Sequence, residues 1–205
     1  YQLAQSKRVS SYLLLFISIL AVSTAAILIR LVNDQTSALV IAAYRLGLST
    51  LLSGILYLTS STHHQTVTRK NFLWMALSGA FLAAHFVAWI SSLEFISVSS
   101  SVILVTTTPL WVALLSPIFL KEKVQSSFYA GMAAAILGGL IIAVGGSCTF
   151  STSGLSCTDK FLGSNPETIK GMFLALLGAW MASGYMLIGR KIRAQTDNAQ
   201  YTLIV

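Results

Sequence analysis

The stretch His85 to Lys123, HFVAWISSLEFISVSSSVILVTTTPLWVALLSPIFLKEK, decides the fold. An apolar run that begins at Phe72 ends in it near Ile96, and Ser97, Ser99, Ser100 and Ser101 make a polar corner. A second run goes from Val98 to Leu120 and stops at Lys121, Glu122 and Lys123, where charge demands water. Each run is close to the roughly 20 apolar residues that a helix needs to cross about 30 Å of hydrocarbon. A soluble helix seldom stays apolar on every face for that length. The stretch therefore reads as two membrane helices with a site between them.

Working outward, further apolar runs fall at about Tyr12 to Val32, Ser37 to Thr59, Phe128 to Gly145 and Gly171 to Gly189. With the two above they make about six spanning helices, so the fold class is an all-α polytopic membrane protein. Composition agrees: of 205 residues 55% are hydrophobic and 9% charged, against about a quarter charged in a soluble domain. The first run is not a secretory signal, because Ile27, Leu28 and Ile29 carry it past the usual length of a signal core. Tyr1 at one end and an apolar run opening at Tyr201 to Val205 at the other predict a fragment of a longer chain, with a truncated seventh helix.

The net charge of +7 does not point to nucleic acid, because the basic residues sit in short clusters between apolar runs. They orient the chain instead. If the helices alternate, Lys7 and Arg8, Arg69 and Lys70, Lys121 and Lys123, and Arg190, Lys191 and Arg193 share one side. Arg30, Lys160 and Lys170 take the other. The amino terminus is then cytoplasmic. The long connection from Gly146 to Lys170 lies outside and carries Cys148 and Cys157; an oxidising compartment permits a disulfide there, two free thiols being the alternative.

Small residues at every fourth position of the fifth helix, Gly131, Ala135 and Gly139, predict close approach of a neighbouring backbone. Ser23 to Arg30 in the first helix is similar to Ala182 to Arg190 in the sixth. Those two helices run in opposite directions, so an odd unit of five helices places the copies upside down. Inverted repeats are a common transporter plan, with substrate near the midplane where the halves meet.

Few polar residues lie inside the runs. Arg45 is expensive there unless it pairs or faces water; Glu94 is its candidate partner in a structural clamp, and a charge lining a permeation route is the other reading. His85 and Trp89 share a helix face with Phe81 and Ser78, either as a hydrogen-bonded core histidine or as a substrate wall. His85 has the chemistry for proton coupling, which makes a proton a candidate coupling ion. Thr106, Thr107 and Thr108 precede Pro109, whose missing amide frees a carbonyl. Their hydroxyls can satisfy that carbonyl or face a ligand, and with Pro117 they mark a helix built to bend. Trp180 and Tyr185 are the matching candidates in the sixth helix. No catalytic motif, metal-ligand spacing or nucleotide-binding loop is present in the sequence, so no enzyme, metal or cofactor is expected.

Several pieces are similar to the drug/metabolite transporter superfamily, and more closely to its bacterial EamA-type exporters. They are Ala43-Tyr-Arg-Leu46, the Trp89 helix with its serine-rich corner, Thr108-Pro-Leu-Trp111 running to Phe119-Leu-Lys-Glu-Lys123, and Gly131, Gly138 and Gly139. The resemblance implies ten helices in two inverted five-helix repeats around a central cavity, in a bacterial inner membrane. Residues 1–146 would be the first repeat, 147–169 an outer loop and 170–205 the start of the second. It also implies export of small metabolites such as amino acids by alternating access, with Arg45 and Glu122 at the family's recurring charged positions. The two-cysteine loop departs from the brief connections usual there. A non-transporting membrane scaffold, its polar residues only locking helices together, is the rival reading.

Overall fold

The computed structural model describes residues 2–33, 35–59, 66–122, 125–151, 154–157 and 165–205, with backbone alone for 2–11, 33, 140, 142–151 and 155–157. Lys123 and Lys160 lie outside the described residues. So do the side chains of Lys7, Arg8, Cys148 and Cys157, and with them any bridge between the cysteines.

Helices α1 (Gln2–Asn33), α2 (Ala38–Thr59) and α3 (Arg69–Phe95) take up the first three apolar runs. Thr68 starts α3 by accepting a hydrogen bond from the Asn71 amide, which satisfies one of the helix's orphan donors. Ile96 then turns extended, and Ser97 caps the next helix through the Ser100 amide. The serine corner is thus two helix ends back to back. Across it, buried Ser92 and Ser101 lie 2.6 Å apart, and Ser92 donates to the Trp89 carbonyl. Ser101 must therefore be the donor to Ser92, and both buried hydroxyls are satisfied.

The fourth apolar run departs from its expected continuity. It forms two helices, α4 (Val98–Val105) and α5 (Thr108–Phe119), with a break at Thr106 and Thr107. Proline explains the break. Pro109 has no amide to offer the Val105 carbonyl four residues back, and the Thr108 hydroxyl donates to that carbonyl at 2.7 Å instead. Thr106 and Thr107 donate likewise to Ile103 and Leu104 at 3.0 and 2.7 Å. Pro117 sits inside α5.

Helix α6 (Ser126–Ser147) leads into a short antiparallel hairpin, β1 (Cys148–Ser151) and β2 (Gly154–Cys157), in which Cys148 and Cys157 are register partners. The long connection therefore contains ordered strands rather than loop alone. Helix α7 (Pro166–Arg193) begins with an Asn165 cap, Pro166 in its first turn and Glu167 beside it, and ends on Arg190, Lys191 and Arg193. That charge order complements the helix dipole. A short α8 (Asn198–Ile204) follows.

Helix α3 is the hub. On one side Trp89, Ile90 and Leu93 pack against Ala26 and Ile29 of α1 and Ala38 and Ala42 of α2. On the other, α3 lies along α7, the most extensive helix pair, and α5 and α4 flank α7 in turn. The small-residue stripe that makes close approach possible is on α7: Gly171, Ala175, Gly178 and Ala182 are all buried. A β-carbon on Gly171 would stand 2.7 Å from Phe95 Cβ. The stripe expected to pack, on α6, behaves differently. Gly131 and Gly138 have no neighbour within 4 Å of such a β-carbon, and Gly139 alone meets Ile103, at 3.4 Å. Spacing permits close approach but does not supply a partner.

Among the described residues, five helices or paired helices are long and apolar enough to cross a membrane. Tyr12, Leu13, Leu14, Leu15 and Phe16 are consecutive in sequence and all exposed, so α1 presents apolar groups on every side. Hydrocarbon, not water, is the solvent that suits such a surface. This is an all-α polytopic membrane protein.

Candidate functional site

The polar groups inside the helices gather at two places. The first is the seam where α3 and α5 meet α7. His85 donates its Nδ1 hydrogen to the Gly178 carbonyl at 2.8 Å, which in the neutral ring leaves Nε2 as an acceptor. Gly178 packs closely on α3 here: a β-carbon would lie 3.4 Å from Trp89 Cβ and 3.5 Å from the His85 carbonyl oxygen, at van der Waals contact with both. At the next carbonyl, Ser183 donates to Ala179 at 2.7 Å, with the Thr108 carbonyl 3.2 Å from the same hydroxyl as an alternative acceptor. The Thr108 hydroxyl comes within 3.5 Å of the same Ala179 oxygen. His85 and Thr108, from two different helices, thus address neighbouring carbonyls on a third.

Trp89 stacks on His85, their rings 6.1 Å apart and nearly parallel. Its far surroundings are the α1 and α2 side of α3, where Arg45 enters. The Arg45 guanidinium lies 4.8 Å from the Phe86 ring centre and 5.7 Å from that of Trp89. Among the described residues no ion pair joins Arg45 to Glu94, and Glu94 is exposed. The expected clamp is replaced by cation–π contact with two rings of α3, because aromatic faces rather than a carboxylate stand opposite Arg45.

The second place is a cavity of about 490 Å³ between α4, α5 and α6. Thr106, Thr107 and Pro109 form one wall and Phe128, Gly131 and Met132 part of the other. The open stripe of α6 is therefore the cavity's far side. His85 and Trp89 are not in its lining, so the threonines divide: Thr106 and Thr107 face the cavity and Thr108 faces α7. Trp111 closes its indole hydrogen bond on Thr107 at 3.2 Å and meets Trp180 edge to face at 5.3 Å. Tyr185 accepts a hydrogen bond from Arg193, and its carbonyl accepts one from Ser78 at 3.4 Å. Trp180 and Tyr185 thus lie on the α7 side of the seam but not in one cluster with His85.

Glu122, just beyond α5, pairs with Arg190 near the end of α7 at 2.8 Å, in an exposed position. Pro109 and Pro117 lie on the same element, between this ion pair and the break at Thr106 and Thr107. Phe86, Gly178 and Ser183 are site residues that sequence reasoning missed. Ser183 carried a signal, since it continues the four-residue spacing of small residues Gly171, Ala175 and Ala179 along α7, and Gly178 falls three residues after Ala175 on the same side; Phe86 carried none.

A family model described as the EamA-like transporter family matches residues 9–144. No curated protein and no solved structure matches the chain.

Proposed function

The chain belongs to the EamA-like transporter family, the match covering well over half of its length, and on that premise we propose that it exports a small organic solute as a secondary transporter. The solute is a metabolite such as an amino acid, and the membrane is a bacterial inner membrane with the amino terminus in the cytoplasm, an orientation that the clustered lysines and arginines support. Access alternates between the two faces as α4 and α5 rock against α7, bending at the break before Pro109 and again near Pro117.

The observation that carries this reading is the seam. Where the first repeat, residues 1–146, meets the start of the second, 170–205, its polar contacts are few and individually modest. The His85 and Ser183 bonds each contribute on the order of 1 kcal/mol. Such contacts can break and remake on a transport cycle, whereas an inert interface gains nothing from holding a histidine and a broken helix. On this reading the exposed Glu122–Arg190 pair closes the cytoplasmic end, and the discontinuity at Thr106 and Thr107 absorbs the bend. Within this reading His85, Trp89 and Thr108 approach the solute from the seam and Thr106 and Thr107 from the cavity beside it, with Trp180 and Tyr185 contributed by the second repeat. A proton is the coupling ion, taken up at His85.

The close packing of α3 on α7, with Gly171 and Gly178 fully buried against it, favours the scaffold reading as the alternative. The two separate in proteoliposomes. Full-length protein facing a panel of labelled metabolites should show flux that rises with an imposed proton gradient. Flux no greater than in protein-free vesicles, for every solute and gradient, would favour the scaffold.

A further inference from the structure

Among the described residues Arg45 is a cation without an anion. Among the described residues neither an ion pair nor a hydrogen-bond acceptor engages its guanidinium, and its neighbours are the Phe86 and Trp89 rings. Aromatic faces attract the charge but accept no conventional hydrogen bond, so the donors of a guanidinium built for bidentate contact stay unused. Beside it is a second unused donor. Trp89 is 6% exposed, and its indole Nε1 is buried with no partner. A buried N–H without an acceptor is costly and rare, and here it belongs to the very ring that flanks the cation. Glu94, the carboxylate nearest to Trp89 in sequence, lies exposed on the same helix and pairs with neither donor, and Asp34, the nearest to Arg45 in sequence, lies outside the described residues. His85 cannot serve as the missing anion. It stacks on Trp89, carries no negative charge and spends its Nδ1 hydrogen on Gly178.

Both deficits have one remedy, an oxyanion that accepts from the guanidinium and the indole together. A planar carboxylate fits the guanidinium fork, and the two rings give the rest of such a solute an apolar wall. We propose that Arg45 and Trp89 are the carboxylate-binding residues of this protein, so that its solute is an organic acid or a zwitterion held by its carboxylate. The proposal rests on the transport reading for what happens after binding, but the site itself does not.

The test uses full-length protein in detergent micelles and measures equilibrium binding of acetate, lactate, succinate and benzoate, each against its own amide, with inorganic phosphate as a further arm. At least one carboxylate should bind tenfold or more tightly than its amide. Arg45→Gln should erase that preference, and Trp89→Phe, which keeps the ring and removes the donor, should weaken the acid several-fold while leaving the amide unchanged. The acid and amide comparison needs no variant and so survives a misfolded one. Equal binding of acids and amides, a preference that outlasts Arg45→Gln in a folded variant, or phosphate binding above every carboxylate would overturn the proposal. Flux of the same solutes separates it from the transport reading. Acid binding without flux keeps the site and removes the transporter, and flux of amides alone does the reverse.

Discussion

Replacing Gly171 by valine tests the α3 and α7 seam where its geometry is least forgiving. A β-carbon at Gly171 would stand 2.7 Å from Phe95 Cβ and 2.9 Å from Ile96 Cγ2. Phe95 Cβ is fixed to its backbone and cannot swing aside, so the helices must part. Overpacking of this kind costs about 1–3 kcal/mol, and the gain in helix propensity over glycine returns only about 0.4 kcal/mol. The net expectation is about 1.6 kcal/mol, roughly a 15-fold shift toward the unfolded state. The control is Gly131→Val on α6, where nothing lies within 4 Å and a change within about 0.5 kcal/mol is expected. Equilibrium unfolding of the full-length protein in mixed micelles reads both. Equal destabilisation by the two substitutions, or a larger effect at Gly131, would mean that α7 is not the helix packed against α3.

Thr108→Val keeps the shape but leaves the Val105 carbonyl with neither an amide from Pro109 nor a hydroxyl, and should destabilise by roughly 1–3 kcal/mol in the same assay; Thr108→Ser should cost markedly less, and equal losses would refute the substitution of hydroxyl for amide. The hairpin register puts Cys148 opposite Cys157, a placement that suits a cross-strand bridge. Peptide mapping without reductant should recover the two joined, and alkylation of both thiols in protein isolated under oxidising conditions would contradict it.

The helices were legible because hydrocarbon imposes long unbroken apolar runs, and the run read from Ser37 to Thr59 forms the helix Ala38–Thr59. The proline at 109 was legible as a disturbance, but not as a full break, because apolar residues resume at Leu110 and the run on both sides is together long enough for one span. Helix pairing was much less legible. Small residues every fourth position occur on both α6 and α7, and nothing in that spacing says which stripe has a neighbour. Arg45 was paired with Glu94 on charge, while the structure sets it against Phe86 and Trp89. Depth along a helix is written in the sequence, and the direction a side chain turns around it is decided by the partner helix. His85 shows the same limit, since its acceptor is the backbone carbonyl of Gly178, and carbonyls carry no residue-specific signature.

A reversible tether across the cytoplasmic end tests alternating access most directly. Glu122→Cys and Arg190→Cys, in a background with Cys148→Ser and Cys157→Ser, replace the 2.8 Å ion pair between α5 and α7 with two thiols that a short cleavable crosslinker can span. Flux measured in proteoliposomes should fall to the protein-free level when the tether is closed and return when it is cleaved. Undiminished flux through the tethered protein would show that the two helices need not separate there, and that the seam is not the moving part.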